Sequence, residues 1–141
     1  MTPLELRIAR EHLGLTVSEA AEHIGGVTTR SWNYFENGDR SIKADIEQKI
    51  SALLERRKEI LSEFTKTDAA QIAVIYYGTP DHCDSVLEWR FSQSLARTLS
   101  LDHGAKLVIF SDNYFRWLNG REDSKQMRAR WSAQSHQSHA P

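Results

Sequence analysis

Thr16-Val17-Ser18-Glu19-Ala20-Ala21-Glu22-His23-Ile24-Gly25-Gly26-Val27-Thr28-Thr29-Arg30-Ser31-Trp32-Asn33-Tyr34-Phe35-Glu36-Asn37-Gly38 is the stretch that decides the fold. Thr16 and Glu19 have the spacing of a capping box, in which each side chain bonds the other residue's backbone N–H. The helix they open puts Ala20, Ala21 and Ile24 on one side and stops at Gly25-Gly26. Thr28 offers a second N-cap, followed by Trp32 and Phe35 three apart on one face, and Gly38 suits the left-handed position after a helix end. Two short helices, a tight glycine turn and small alanines for close approach predict a helix-turn-helix. Ala20, Ala21, Ile24, Trp32 and Phe35 are its expected core.

The residues between the two aromatic anchors point away from that core: Thr29, Arg30, Asn33 and Tyr34. Arginine pairs bidentately with guanine in the major groove and asparagine with adenine. Tyr34 suits a thymine-methyl or sugar contact, or else core packing. The hydroxyls of Thr16, Ser18 and Ser31 lie near helix N-termini, where phosphates bind well, and Arg40 follows the third helix. Caps, small residues and exposed polar positions also fit a plain helical bundle.

Upstream, Thr2-Pro3-Leu4-Glu5 opens a first helix with another capping box, and Gly14 ends it. Downstream, Ile46, Ile50, Leu53, Leu54, Ile60, Leu61 and Phe64 form a stripe along a long helix over 43–64, interrupted at Arg57. Arg56-Arg57-Lys58 reads as a solvated charge run, with an approach to phosphate as the alternative. Such a helix spans about 30 Å, more than a small head domain needs. After the connector Thr65-Lys66-Thr67-Asp68, the run Ile72-Ala73-Val74-Ile75-Tyr76-Tyr77 reads as a buried strand. A helix over 86–101 carries Leu87, Phe91, Leu95 and Leu99 at spacing four, and Leu107-Val108-Ile109-Phe110 reads as a second strand. Strand, helix and strand suggest a βαβ unit with parallel strands and a right-handed crossover. A short helix around Tyr114 to Leu118 covers that layer. Residues 121–131 could form a charged helix, and the low-complexity end is expected to be disordered.

The fold class expected is therefore mainly α with a small β part. Residues 1–66 form a helix-turn-helix domain with its connecting helix. Residues 67–120 form a βαβ-like dimerisation domain, and 121–141 a charged, disordered tail. Two strands alone make a marginal sheet. With the overlong helix, this calls for a two-fold partner meeting the chain through Phe91, Leu95, Val108 and Phe110.

Composition narrows the function by exclusion. In 141 residues there are 18 basic and 19 acidic side chains, a net charge of −1, and 40% hydrophobic residues. The first forty residues carry four basic and six acidic side chains, so any case for nucleic acid rests on local pattern rather than total charge. No apolar run is long enough for a membrane span, and MTPLELRIAR lacks the apolar core of a secretory signal. The lone Cys83 can form neither an intrachain disulfide nor a cysteine-rich metal site. A cytoplasmic protein is expected. His82-Cys83-Asp84 are adjacent and cannot readily converge on one ion. Neither a phosphate-binding glycine loop nor a nucleophile elbow is present, so the reading is of a non-enzyme without metal, cofactor or small-molecule ligand.

Leu6-x-x-x-Arg10-x-x-x-Gly14-Leu15-x-x-x-Glu19-Ala20-Ala21, followed by a turn and a helix ending Phe35-Glu36-Asn37-Gly38, resembles the Cro/CI-type (Xre) helix-turn-helix family. More narrowly, Ser18 to Gly25, Arg30-Ser31-Trp32, Phe35-Glu36 and Trp89-Arg90-Phe91-Ser92-Gln93-Ser94 are similar to the YdiL-like family, which includes regulators encoded beside phage anti-CRISPR genes. The resemblance covers about 110 residues in both halves. It implies a homodimeric repressor of double-stranded DNA, autoregulating through an inverted-repeat operator. Val17 stands where the Cro/CI pattern usually has glutamine, and Gly25-Gly26 adds a residue to the turn, so the docking angle of the third helix is expected to differ. The alternative is a protein-interaction module, such as an antitoxin whose C-terminal half neutralises a partner.

Overall fold

Each N-terminal helix begins where its cap says it should. A computed structural model describes residues 1–68 and 71–138. Helix α1 (Pro3–His12) is closed by the Thr2–Glu5 capping box and α2 (Val17–Ala20) by Thr16–Glu19. Helix α3 (Thr29–Asn37) starts where the Thr28 hydroxyl accepts from Ser31 N, and ends at Gly38 with φ +83°. Helix α4 (Ala44–Thr65) follows, then strand β1 (Ala73–Tyr76), helix α5 (Val86–His103), strand β2 (Lys106–Ile109), and helices α6 (Asn113–Leu118) and α7 (Lys125–Ser138). The two strands pair in parallel, Ala73 with Lys106 through Tyr76 with Ile109, with α5 between them in sequence.

The second helix departs from expectation in its last turn. Ala21–Gly25 winds as a π-helix, and Gly26 follows in the left-handed region at φ +58°. The extra residue of the turn is taken up as one wide turn, closed by Val27 N donating to Ala21 O at 3.0 Å. Gly25 is needed for a different reason. A Cβ there would lie 2.9 Å from Val27 Cγ2 and 3.3 Å from the Trp32 ring, so a side chain would force Val27 and Trp32 to shift.

Two clusters of buried side chains form. The first joins Leu6, Leu13, Ala20, Ala21, Ile24, Trp32, Phe35, Ile46 and Ile50 from the four N-terminal helices, and it also takes in Phe91 from α5. The second joins Tyr114, Leu118 and Trp131, with Ile75, Val108 and Phe110 packed on it. This packing engages Phe91 and Leu95, two of the residues expected at a dimer contact, within their own chain. Phe91 is 3% exposed inside its own chain and Leu95 packs on the same core, because the long α5 stripe is covered by the N-terminal helices. Val108 and Phe110 likewise face the second cluster.

The tail departs from the disorder expected over 121–141: the charged helix open as an alternative over 121–131 forms as α7 and runs on to Ser138, and residues 139–141 lie outside the described residues. Trp131 (5% exposed) packs edge-on to Phe110 and Tyr114. Arg128 fastens the helix to the sheet: it pairs with Asp123 at 2.7 Å and donates to Tyr77 Oη at 3.0 Å and His82 O at 2.9 Å. Arg57 also departs from expectation. Instead of lying on a solvated face it is 6% exposed, donating to Ser94 O at 3.1 Å and to Thr98 Oγ1 at 2.5 Å. Its break in the apolar stripe of α4 was the signal: a charge on a buried stripe needs hydrogen-bond partners.

Candidate nucleic-acid interface

Helix α3 separates two chemistries by its 3.6-residue turn. Trp32 and Phe35 are buried, while Thr29, Arg30 and Asn33 are exposed on the other side. The buried side is tied down by charge. The Trp32 indole N–H donates to the Glu36 carboxylate, which also receives Arg10 through Nε at 2.7 Å and Nη2 at 3.1 Å. Arg10 Nη1 donates onward to Leu15 O at 3.0 Å. Arg10 and Glu36 are mostly buried, and together they lock α3 to α1. Both residues stand in the family pattern along the chain, where nothing pairs them.

The exposed side is partly preassembled. Arg30 Nε donates to Tyr34 Oη at 2.7 Å. The Arg40 guanidinium lies 4.4 Å from the Tyr34 ring centre, so Tyr34 stands between two cations. Tyr34 is half-buried under these groups rather than packed in the core. Thr16, Ser18 and Arg40 are exposed and Ser31 is half-buried. Ser18 Oγ lies 3.4 Å from Thr29 Oγ1, which brings the N-termini of α2 and α3 side by side. All eight expected contact residues thus belong to α2, α3 or their immediate flanks.

A further link, which no spacing along the chain announces, joins the two halves. Both Glu19 carboxylate oxygens accept from Arg90 Nε, at 3.0 and 3.1 Å, joining α2 to α5. Burial raises the Glu19 pKa, but the Thr16 backbone N–H and the Arg90 guanidinium outweigh it and hold the carboxyl below its ordinary value. Arg90 belongs to the Trp89–Ser94 segment that carries the family resemblance in the second half.

His82-Cys83-Asp84 lies elsewhere. The His82 ring packs on Phe110 and Phe115, and Cys83 borders a cavity of about 530 Å³ between the end of α4, α5, β1 and α7. Burial pushes the Cys83 thiol up, away from the reactive thiolate. Among the described residues, no helix is long and apolar enough to cross a membrane.

A short α2, a wide π turn and an α3 with one buried and one exposed polar face pack with α1 and α4 around a single core. Residues 1–108 match the Aca2/YdiL-like family, and the chain belongs to it. It is similar to the Aca2 repressor of Pectobacterium phage ZF40, at 38% identity over 118 residues, covering 77% of this chain and 100% of the relative. The family and this repressor relative together point to transcriptional regulation as the class of function.

Proposed function

We propose that the chain is a homodimeric repressor that binds an inverted-repeat operator with α3 in the major groove, controlling its own gene. The observation carrying this reading is the division of α3, with Arg30 and Asn33 exposed opposite the buried Trp32 and Phe35. Arg30 reads a guanine edge and Asn33 an adenine edge, with Thr29 beside them. Thr16, Ser18, Ser31 and Arg40 hold the flanking phosphates.

The two-fold partner docks on the open side of the sheet. Among the described residues, strand β2 has one neighbour, β1, and it carries Leu107 and Ile109 at 44% and 59% exposure. An edge strand with unpaired backbone groups and apolar side chains is a ready surface for a second chain. The interface therefore centres on Leu107 and Ile109 rather than on Phe91 and Leu95.

The test is a footprint on the DNA upstream of this chain's own gene, with spacers lengthened by half a helical turn between the half-sites. Protection of an inverted repeat, lost on adding half a turn, is the expected result. Absence of protection, together with stoichiometric co-purification of a protein partner, would replace this reading with the interaction module.

A further inference from the structure

We propose that Arg90 is a positioning residue that fixes the reading head against the C-terminal half and so sets the half-site spacing the dimer accepts. This rests on the dimeric DNA-binding reading above.

The geometry is a continuous chain of hydrogen bonds. Glu19 accepts from Thr16 N at 3.0 Å, so it belongs to the N-terminus of α2. The same carboxylate holds Arg90 through both oxygens. The Arg90 guanidinium lies 3.9 Å from the Trp89 ring centre and donates to Gln93 Oε1 at 3.1 Å. Trp89 Nε1 and Gln93 Nε2 both donate to Tyr77 O, at 2.8 and 2.7 Å, just past the end of β1. Thr16 at the expected phosphate surface is thereby joined to the sheet through one turn of α5.

A second contact braces the same face of α5. Gly14, at φ +76° in the α1–α2 turn, leaves room for Arg97; a Cβ there would lie 2.7 Å from Arg97 Nη2 and 3.6 Å from Arg90 O. With Phe91 buried in the N-terminal core, α5 belongs to both halves. The Phe91 packing and the α4–α5 bonds of Arg56 and Arg57 hold the halves together, and the contact between Glu19 and Arg90 adds the tie made directly by α2 of the reading head. Arginine fits this role because one planar guanidinium serves Glu19 through Nε and Gln93 through Nη1 in a fixed geometry, which a lysine point charge does not.

In a two-fold dimer the separation of the two α3 helices depends on how the head is turned against the C-terminal half. A head free to turn binds a single half-site as before but loses the benefit of preorganisation on the full site. The experiment measures binding of the full-length chain to the footprinted upstream inverted repeat, with the spacer varied one base pair at a time, and to an isolated half-site duplex. Wild type should show one sharp spacer optimum. Arg90→Ala should flatten it, weaken the best spacing by about tenfold, and leave half-site affinity within about twofold. Arg90→Lys keeps the charge and should flatten the profile too, which separates positioning from attraction to phosphate. It also serves if Arg90→Ala does not fold. An unchanged spacer optimum in the folded variants overturns the inference, as does an equal loss on half-site and full site. A wild type indifferent to spacing removes the dimeric reading and this inference with it.

Discussion

Arg30 and Tyr34 are joined across one turn of α3 by a 2.7 Å hydrogen bond from the guanidinium Nε to the phenol oxygen. The bond leaves both Arg30 terminal nitrogens without a protein partner among the described residues while limiting how the side chain can swing. Replacing Arg30 by alanine should cost about 1–3 kcal/mol per half-site and abolish operator binding, with the melting temperature near wild type. Tyr34→Phe removes only the hydroxyl and should cost about 0.5–1.5 kcal/mol. Titration of the footprinted operator measures both. Wild-type affinity in Arg30→Ala would move the reading face elsewhere.

Trp32 is fully buried, so its loss acts through stability rather than contact with DNA. Trp32→Ala should cost about 3–5 kcal/mol. Thermal melting should show a large drop alongside loss of binding. Lost binding at wild-type stability would place Trp32 on the DNA surface instead.

The Arg10–Glu36 pair offers an independent probe of the α1–α3 contact. Removing one member of a mostly buried pair strands the other, at a cost of about 3–5 kcal/mol. Glu36→Ala strands Arg10 and also deprives the Trp32 indole of its acceptor. Chemical denaturation should show Glu36→Ala much less stable than Glu63→Ala, whose Lys66 partner is on an open surface.

Acid should loosen the links between elements. Arg56 beside Glu88 holds that carboxyl below its ordinary 4.5, and Arg128 beside Asp123 holds that one below its ordinary 3.8. Glu19 is lowered as well. A carboxylate with a depressed folded pKa contributes stability in full above its unfolded value and loses it as pH falls through the folded one. Melting temperature should therefore hold from neutrality to about pH 5 and fall below it. A fall that begins near pH 6.5 would point to histidines instead.

Salt dependence checks how few cations meet the duplex. Contacts to about 2–3 phosphates per half-site, at about −0.9 per phosphate, give a slope of about −4 to −5 for the dimer. A slope near zero in the titration would remove phosphate binding by α2 and α3.

Removing α7 tests the packed C-terminus. Stopping the chain at Gly120 uncovers Tyr114 and Phe110 and removes the Arg128 contacts to Tyr77 and His82. The shortened chain should melt lower and self-associate in sedimentation. Unchanged melting and sedimentation would show that α7 contributes nothing to the fold.

The sequence by itself determined the local structure: Thr2 with Glu5, Thr16 with Glu19, Thr28 before α3, and Gly38 after it. These choices rest on contacts three or four residues apart, which recur in any context and so can be read along the chain. The division of α3 into buried Trp32 and Phe35 and exposed Arg30 and Asn33 was legible for the same reason, since helical periodicity assigns faces. The π turn at Ala21–Gly25 was half legible, as an extra residue without a shape. Only the tertiary structure decided which distant polar side chains meet. Arg10 and Glu36 are 26 residues apart, Arg57 and Thr98 are 41 apart, and Glu19 and Arg90 are 71 apart. It also decided that Phe91 belongs to the N-terminal core and that Trp131 roofs the sheet. An apolar stripe states that a helix has something to bury but not against what. That depends on how helices dock in three dimensions, and no interval along the chain encodes it.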